Sequence, residues 1–250
     1  MKIVLIMLLC VDVCVAQKKL ATVDLSTTVS YAAVDRPGDL YVIMTNGEAI
    51  KLDKDGKNIG KKKFNTLPTI FDPKDGTRAF AYYRKLQAIE SIAPDLSDGD
   101  FSPLHPEFAV NAWLVCPSKN ELWILDSADF SLKKTKEKGT AIAYESMLGK
   151  TNATYMREYL NFLFMLDPKG IHILNNLGKE IRVIDASVID FGFLGEEIYY
   201  VSNASLQLVD LYTTEKRQIA LPHNAQFAFL TDDRMILVEG KKIEFFQFAP

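Results

Sequence analysis

The 250-residue sequence predicts an all-β fold, a six-bladed β-propeller whose ring is closed by an N-terminal strand that completes the last blade. Three observations predict this fold: β-rich runs that recur along the chain, turn-forming dipeptides between them, and an N-terminal segment that matches a strand missing from the last repeat. Hydrophobic residues make up 48% and charged residues 24% of the chain, which is typical of a globular domain.

Each repeat is centred on a large apolar residue inside a β-rich run. The first four of these residues are spaced 41 positions apart, and the next two steps are 35 and 37 positions. Four-stranded units of about forty residues are typical of propeller blades, so we expect each central residue where neighbouring blades stack. The six central residues are Tyr41, Tyr82, Trp123, Phe164, Tyr199 and Ile236.

The two ends of the chain predict how the ring closes. The last repeat lacks an outer strand, whereas residues 19–27 form a strand-like segment before the first repeat. Because an open ring would keep an unpaired edge, we expect residues 19–27 to pair beside residues 243–248. Residues 17–250 are therefore expected to form a single propeller domain.

Two stretches interrupt the period. Residues 94–107 contain three prolines, and residues 139–154 show no clear repeat. We expect both to be long loops, with a short helical turn around residues 144–148. Because function in repeat folds concentrates on loops at one face, the first stretch is a candidate contact surface.

Residues 1–16 have the features of a signal peptide. A positive residue precedes an apolar run that is too short to span a bilayer, and small residues follow it. We predict cleavage between Ala16 and Gln17, which implies a secreted, periplasmic or surface protein of a bacterium. Lipidation at Cys10 or Cys14 is the alternative form of processing.

The cysteine and lysine content predicts a domain that has no disulfide bond and carries lysines on its surface. Cleavage would leave only Cys116, so no internal disulfide is expected, which favours a bacterial envelope over an animal secretory route. The lysines in residues 61–63 and 133–138 are expected on outer strands or turns, where charge discourages edge pairing. Binding of an anionic envelope polymer is the alternative interpretation.

Composition and motifs narrow the function classes. The 29 basic and 32 acidic residues give a formal net charge of −3, which argues against a nucleic-acid partner. The sequence holds no G-x-S-x-G or H-E-x-x-H pattern and no glycine-rich phosphate loop. The three histidines lack metal-ligand spacing, so no cofactor is predicted, and calcium bound by three aspartates is the alternative. The histidines are His105, His172 and His223, and the aspartates are Asp95, Asp98 and Asp100.

The first repeat carries a family resemblance. Residues 35–42, Asp-Arg-Pro-Gly-Asp-Leu-Tyr-Val, resemble the D-x-x-G-x-x-Y-V core of NHL-type blades. The whole chain resembles the six-bladed TolB-like/NHL-like propeller superfamily, and residues 71–92 and 119–134 are similar to small secreted bacterial propellers of unknown role. The superfamily includes lactonases, lyases, quinone-dependent dehydrogenases and partner-binding envelope proteins, so the resemblance implies a fold and no single reaction.

We therefore expect a non-catalytic module that binds a protein or a cell-envelope component and is itself a monomer without a transmembrane segment. The alternative is a metal-dependent propeller hydrolase, lactonase or lyase that acts at the central channel. No catalytic, cofactor-binding or metal-ligating residue is nominated. The candidate partner-binding residues are Asp98, Asp100, Phe101 and His105.

Overall fold

The computed structural model of the chain describes residues 17–73, 76–97, 99–136 and 141–248. Within these ranges the chain forms six four-stranded antiparallel sheets, which confirms the predicted six-bladed β-propeller. The predicted signal peptide and its cleavage site at Ala16 lie outside the described residues. No helix in the described part of the chain is long and apolar enough to cross a membrane.

Blades 1 to 3 each follow the chain from an inner strand to an outer strand. A 3₁₀ turn at Arg84–Leu86 joins two strands of blade 2. Blade 1 consists of β2 (Val29–Val34), β3 (Leu40–Met44), β4 (Glu48–Leu52) and β5 (Asn58–Lys63). Blade 2 consists of β6 (Ile70–Asp72), β7 (Ala79–Tyr83), β8 (Ala88–Ile92) and β9 (Gly99–Pro103). Blade 3 consists of β10 (Ala112–Ser118), β11 (Glu121–Asp126), β12 (Ser131–Thr135) and β13 (Ile142–Met147).

Blades 4 and 5 repeat this order, and blade 6 borrows its outer strand from the N-terminus. Blade 4 consists of β14 (Tyr155–Tyr159), β15 (Phe162–Asp167), β16 (Gly170–Leu174) and β17 (Glu180–Ile184). Blade 5 consists of β18 (Phe191–Leu194), β19 (Glu197–Ser202), β20 (Ser205–Asp210) and β21 (Lys216–Ala220). Blade 6 consists of β22 (Phe227–Leu230), β23 (Arg234–Glu239), β24 (Lys242–Gln247) and β1 (Lys19–Asp24).

The ring closes as the sequence predicts. β1 pairs antiparallel with β24, and Val23 lies opposite Ile243. Ile243 is fully buried, and Val23 packs against the same core cluster, so the closing strand contributes apolar surface as well as hydrogen bonds. Because the first and the last described strands share blade 6, the ring closes between that blade and blade 1.

The central residues of the repeats form the contacts between blades. All six lie on the second strand of their blade and are at most 3% exposed. The Tyr82 hydroxyl donates to the Ala112 carbonyl of the next blade at 2.5 Å. Trp123 Nε1 likewise donates to Glu158 Oε2 of blade 4 at 2.6 Å. The repeat is visible in the sequence because these interblade positions require large side chains.

Three local predictions are wrong. Residues 99–103, expected in a long loop, form the outer strand β9. Residues 144–148, expected to contain a helical turn, mostly belong to β13, where half-buried and exposed side chains alternate as in a strand. Lys133 and Lys134 lie on the third strand β12 rather than on an outer strand, and Lys133 is 8% exposed. The Lys133 ammonium is compensated by Asp126 at 3.3 Å.

Candidate functional site

A central cavity of about 880 Å³ lies where the inner strands of the six blades meet. Its lining includes the turns between the first and second strands of five blades, so the cavity opens on the face that carries these turns. A concave site of this size, with apolar walls and a few convergent polar groups, is typical of a ligand-binding pocket. The polar groups, termed the channel cluster, are Tyr31, Asp72, Tyr155, Arg157, Asp190 and Tyr199.

Two tyrosines of the channel cluster bridge opposite blades. The Tyr31 hydroxyl of blade 1 donates to the Phe71 carbonyl at 2.7 Å. Its oxygen lies 3.0 Å from the Tyr155 hydroxyl of blade 4, which therefore donates to it. Burial raises the pKa of both phenols well above the ordinary value, so both remain protonated donors at neutral pH.

Arg157 supplies the positive charge of the channel cluster. Its Nη2 lies 3.5 Å from Asp72 Oδ1 of blade 2, and its guanidinium lies 5.7 Å from the centre of the Phe193 ring. Burial acts to lower the pKa of Arg157, but the Asp72 charge and the neighbouring phenols together outweigh burial and hold that pKa above the ordinary value. Asp72 and Arg157 therefore form an ion pair with no net charge.

Asp190 supplies a second negative charge without a matching cation. It precedes β18, lines the cavity, and has no ion-pair partner within 4 Å among the residues described. Burial raises its pKa to about 7, although the Phe191 amide and the Arg157 charge act to lower it. This carboxyl group can therefore gain or lose a proton near neutral pH.

Local sequence explains how Tyr199 reaches the channel cluster. Its cross-strand partner on β18 is Gly192, and a Cβ atom at that glycine would lie 2.3 Å from the Tyr199 ring. The absence of a side chain at Gly192 lets the ring cross the inner strand. The Tyr199 hydroxyl then accepts a hydrogen bond from the Leu230 amide of blade 6 at 3.1 Å.

The rim of the cavity has one apolar part, from blades 4 and 5. Tyr159 stacks on Phe193 with ring centres 4.1 Å apart, and its hydroxyl donates to the Gly195 carbonyl at 2.7 Å. Leu160, at the tip of the same turn, is 41% exposed. We call Tyr159, Leu160, Phe193 and Leu194 the apolar rim.

A second part of the rim is charged and comes from blades 1 and 6. Arg234 ties its turns together, since Nη1 lies 2.7 Å from Asp233 Oδ2 and Nε donates to the Lys54 carbonyl at 3.3 Å. The cavity therefore joins an apolar surface to a polar one. The charged lining residues of this part include Arg36, Lys54, Asp232 and Asp233.

The residues nominated from the sequence lie away from this cavity. Asp98 is outside the described residues. Asp100 and Phe101 are neighbours on β9, where Asp100 pairs with Arg78 at 2.8 Å and Phe101 is 56% exposed. His105 follows on the surface, with its ring 5.6 Å from that of Phe108. No observation tests whether this blade 2 surface binds a partner, so its role stays a prediction.

The two remaining histidines contact carboxylates on both ring nitrogens. His172 Nε2 lies 3.0 Å from Asp167, and its Nδ1 lies 2.6 Å from Glu180, so the two carboxylates do not converge on one point. His223 contacts Glu244 through Nε2 and Glu239 through Nδ1. Among residues 17–73, 76–97, 99–136 and 141–248, no three His, Cys, Asp or Glu side chains are placed to share a metal ion.

Sequence reasoning missed the channel cluster. Its members are scattered over four of the six repeats and form no motif along the chain. One usable signal is a charged residue in the middle of an inner strand: Arg157 is the central residue of β14, which begins and ends with a tyrosine. The other signal is Gly192 between two phenylalanines, which indicates a close approach of another side chain.

Comparisons with known proteins agree on the fold. No family model matches the chain, and no curated protein matches it by sequence. The Neurospora crassa Pan2 WD40 domain has a TM-score of 0.59 at 10% identity, covering 89% of this chain and 79% of that chain. A catalytically inactive virginiamycin B lyase from Staphylococcus aureus with quinupristin has a TM-score of 0.53 at 10% identity, covering 88% and 80%.

A chain of a mitotic checkpoint complex is also similar, with a TM-score of 0.55 at 12% identity, covering 91% of this chain and 77% of that chain. At these identities the likeness establishes the fold alone. The chain is a six-bladed β-propeller, a class that holds both protein-binding domains and enzymes.

Proposed function

We propose that this protein is a non-catalytic binding module that holds a segment of a partner protein in its central cavity. The observation that carries the proposal is the cavity itself, in which an apolar rim, a charged rim and the channel cluster face one space. Such a combination offers apolar burial for affinity and polar groups for orientation.

The apolar rim has the composition of a binding hot spot. Tyr159 and Phe193 are already held against each other, so a partner side chain that packs on them orders little further structure. Leu160 and Leu194 widen this surface beside the mouth. Rigid aromatic groups at the edge of a pocket provide contact area at low entropic cost.

We further propose that the protein acts outside the cytoplasm as a monomer, after removal of residues 1–16. The proposal is supported by the signal-peptide pattern and by the single remaining cysteine, Cys116. Intact mass measurement of protein isolated from its own cells tests the removal of residues 1–16. We expect a chain that begins at Gln17, and a chain that retains residue 1 would contradict the proposal.

Site-specific photo-cross-linking tests where the partner binds. A benzophenone amino acid is placed at Leu160 on the apolar rim, at Phe101 on blade 2, and at Ile181 on the outer strand of blade 4 as the matched control. We expect one reproducible protein adduct from position 160 and none from 181. An adduct from position 101 alone would place the partner on the surface predicted from the sequence and contradict the cavity proposal.

One observation supports the alternative, a hydrolase or lyase that acts in the channel. A carboxyl group with a pKa of about 7, such as Asp190, is matched to acid–base chemistry at neutral pH. Purified protein is screened against lactones and esters, with Asp190→Asn as the comparison. Turnover that is lost in the variant would establish an enzyme, and stoichiometric calcium or zinc would make it the metal-dependent kind. No turnover, together with an adduct at position 160, would establish the binding module.

A further inference from the structure

We propose that the central cavity receives a positively charged group, an ammonium or a guanidinium, and that Asp190 is the residue that binds it. This inference deepens the proposed function, on which it rests, by naming the chemistry of the partner segment. It stands on the charge balance of the channel cluster, on the aromatic groups around Asp190 and on the depth at which this carboxyl group lies.

The charge balance of the channel cluster is negative. Asp72 and Arg157 neutralise each other, and Arg157 is the charged side chain that acts on Asp190. Ionised Asp190 therefore leaves one uncompensated negative charge in a site with limited access to water. A buried charge without a partner is costly, and it is relieved either by a proton or by a cation brought with a ligand.

The groups around Asp190 favour a ligand cation as the partner of its carboxylate. The phenols of Tyr31, Tyr155 and Tyr199 lie close enough to interact electrostatically with the carboxyl group. Aromatic faces attract ammonium and guanidinium groups, and Arg157 beside the Phe193 ring shows that the cavity already accommodates such a contact. An anionic ligand would meet an arginine that Asp72 already neutralises, and it would be repelled by Asp190.

The distance of Asp190 from the mouth of the cavity restricts the kind of ligand that can reach it. Asp190 precedes β18, whereas Leu194 at the other end of this strand lies at the mouth. At about 3.3 Å per strand residue, the two positions are about 13 Å apart. A ligand that enters at this mouth must therefore carry its cation on a long, flexible chain: a lysine or arginine at the tip of an inserted segment, or a free polyamine.

Isothermal titration calorimetry with the full chain distinguishes these sources. The probes are peptides blocked at both ends with a single lysine, arginine, glutamine or glutamate between glycines, and spermidine as the free amine. Asp190→Asn is the test variant, and Asp185→Asn, at an exposed residue outside the cavity lining, is the matched control. We expect the lysine or arginine peptide to bind, Asp190→Asn to weaken this binding at least tenfold, and Asp185→Asn to leave it within twofold.

The pH dependence provides a second measurement. Since the pKa of Asp190 is about 7, affinity for the lysine peptide should rise as the pH increases from 6 to 8, while the lysine itself stays charged. Arg157 and the three tyrosines do not titrate in this range. The rise should vanish in Asp190→Asn, and a ¹³C carboxyl titration of the free protein reports folding and the pKa together.

Each outcome decides a separate question. Equal binding of the glutamine or glutamate peptide, or unchanged binding in Asp190→Asn, would overturn the inference, and so would the failure of every probe. If the adduct at position 160 persists in Asp190→Asn with undiminished yield, the binding module stands and the cation inference falls. If spermidine alone binds and position 160 gives no adduct, the cation site is supported and the protein-binding function is contradicted.

Discussion

At the scale of single residues, Gly192 shows how one missing side chain shapes the site. A Cβ atom there would lie 2.3 Å from the Tyr199 ring, whereas a Cβ at Gly195, on the turn beyond the same strand, would meet nothing within 4 Å. We expect Gly192→Ala to lower the free energy of unfolding by about 3 kcal/mol, as overpacking does. Gly195→Ala is the control and should cost only about 1 kcal/mol, through its positive φ. Urea unfolding of both variants measures the difference, and equal losses would contradict this account of Tyr199.

Tyr82 shows how a single residue stabilises the contact between two blades. Its hydroxyl donates to the Ala112 carbonyl and accepts from Gln87 Nε2 at 3.0 Å in a fully buried site. We expect Tyr82→Phe to lower the free energy of unfolding by about 1.5 kcal/mol, because both partners lose a bond. Tyr212→Phe, in which the altered ring is 57% exposed, should change it by less than about 0.5 kcal/mol. Thermal or urea unfolding compares the two, and a neutral Tyr82→Phe would show that the hydroxyl is dispensable.

At the scale of elements, a charge network helps to hold the closing strand. Glu244 on β24 contacts Lys242, Lys19 of β1 and His223. The Lys242 bond and these neighbours lower the pKa of Glu244 to about 2, although burial opposes them. A carboxyl group whose pKa is lowered by folding stabilises the protein above its unfolded pKa of about 4.5 and loses that effect as the pH falls to about 2.

We therefore expect Glu244→Gln to lower the free energy of unfolding by about 2 kcal/mol at pH 7. The difference from the unmodified protein should shrink as the pH decreases from 4.5 to 2. Glu239→Gln, at a 63% exposed side chain that contacts only the other nitrogen of His223, is the matched control and should have little effect. Unfolding measured across pH tests both variants. A pH-independent loss in Glu244→Gln would mean that packing, and not charge, links β1 to β24.

The elements also show why some of the fold was predictable and some was not. The spacing of Tyr41, Tyr82 and Trp123 is visible because each must fill the same interblade space. The sequence does not distinguish β9 from a loop, because β9 contains Gly99 and Pro103, residues that an outer strand tolerates since only one of its edges is hydrogen-bonded to a neighbouring strand.

The candidate site lay beyond sequence reasoning for a different physical reason. Asp72, Arg157 and Asp190 belong to three blades, and only closure of the ring brings them to one cavity. Which side of an inner strand faces the channel depends on strand register and blade twist. Hydrophobic periodicity reports burial, but it does not distinguish a side chain that faces the next blade from one that faces the channel.

At the scale of the whole molecule, we expect the ring to unfold as one cooperative unit whose stability depends on the pairing of β1 with β24. Cys116 lies on the inner strand β10 and is fully buried, and it is the only cysteine among residues 17–250. Its thiol therefore becomes accessible when the core opens and not when the outer strands fray.

In a Cys10→Ser, Cys14→Ser background, we expect a thiol reagent to label Cys116 only through global unfolding. The midpoint of labelling in urea should then coincide with the midpoint observed by circular dichroism. Adding Glu244→Gln should shift both midpoints together, because a ring that opens at β1 exposes its core as a unit. Labelling of Cys116 well below the unfolding transition would show instead that blade 3 opens independently, and the closing strand would then stabilise blade 6 alone.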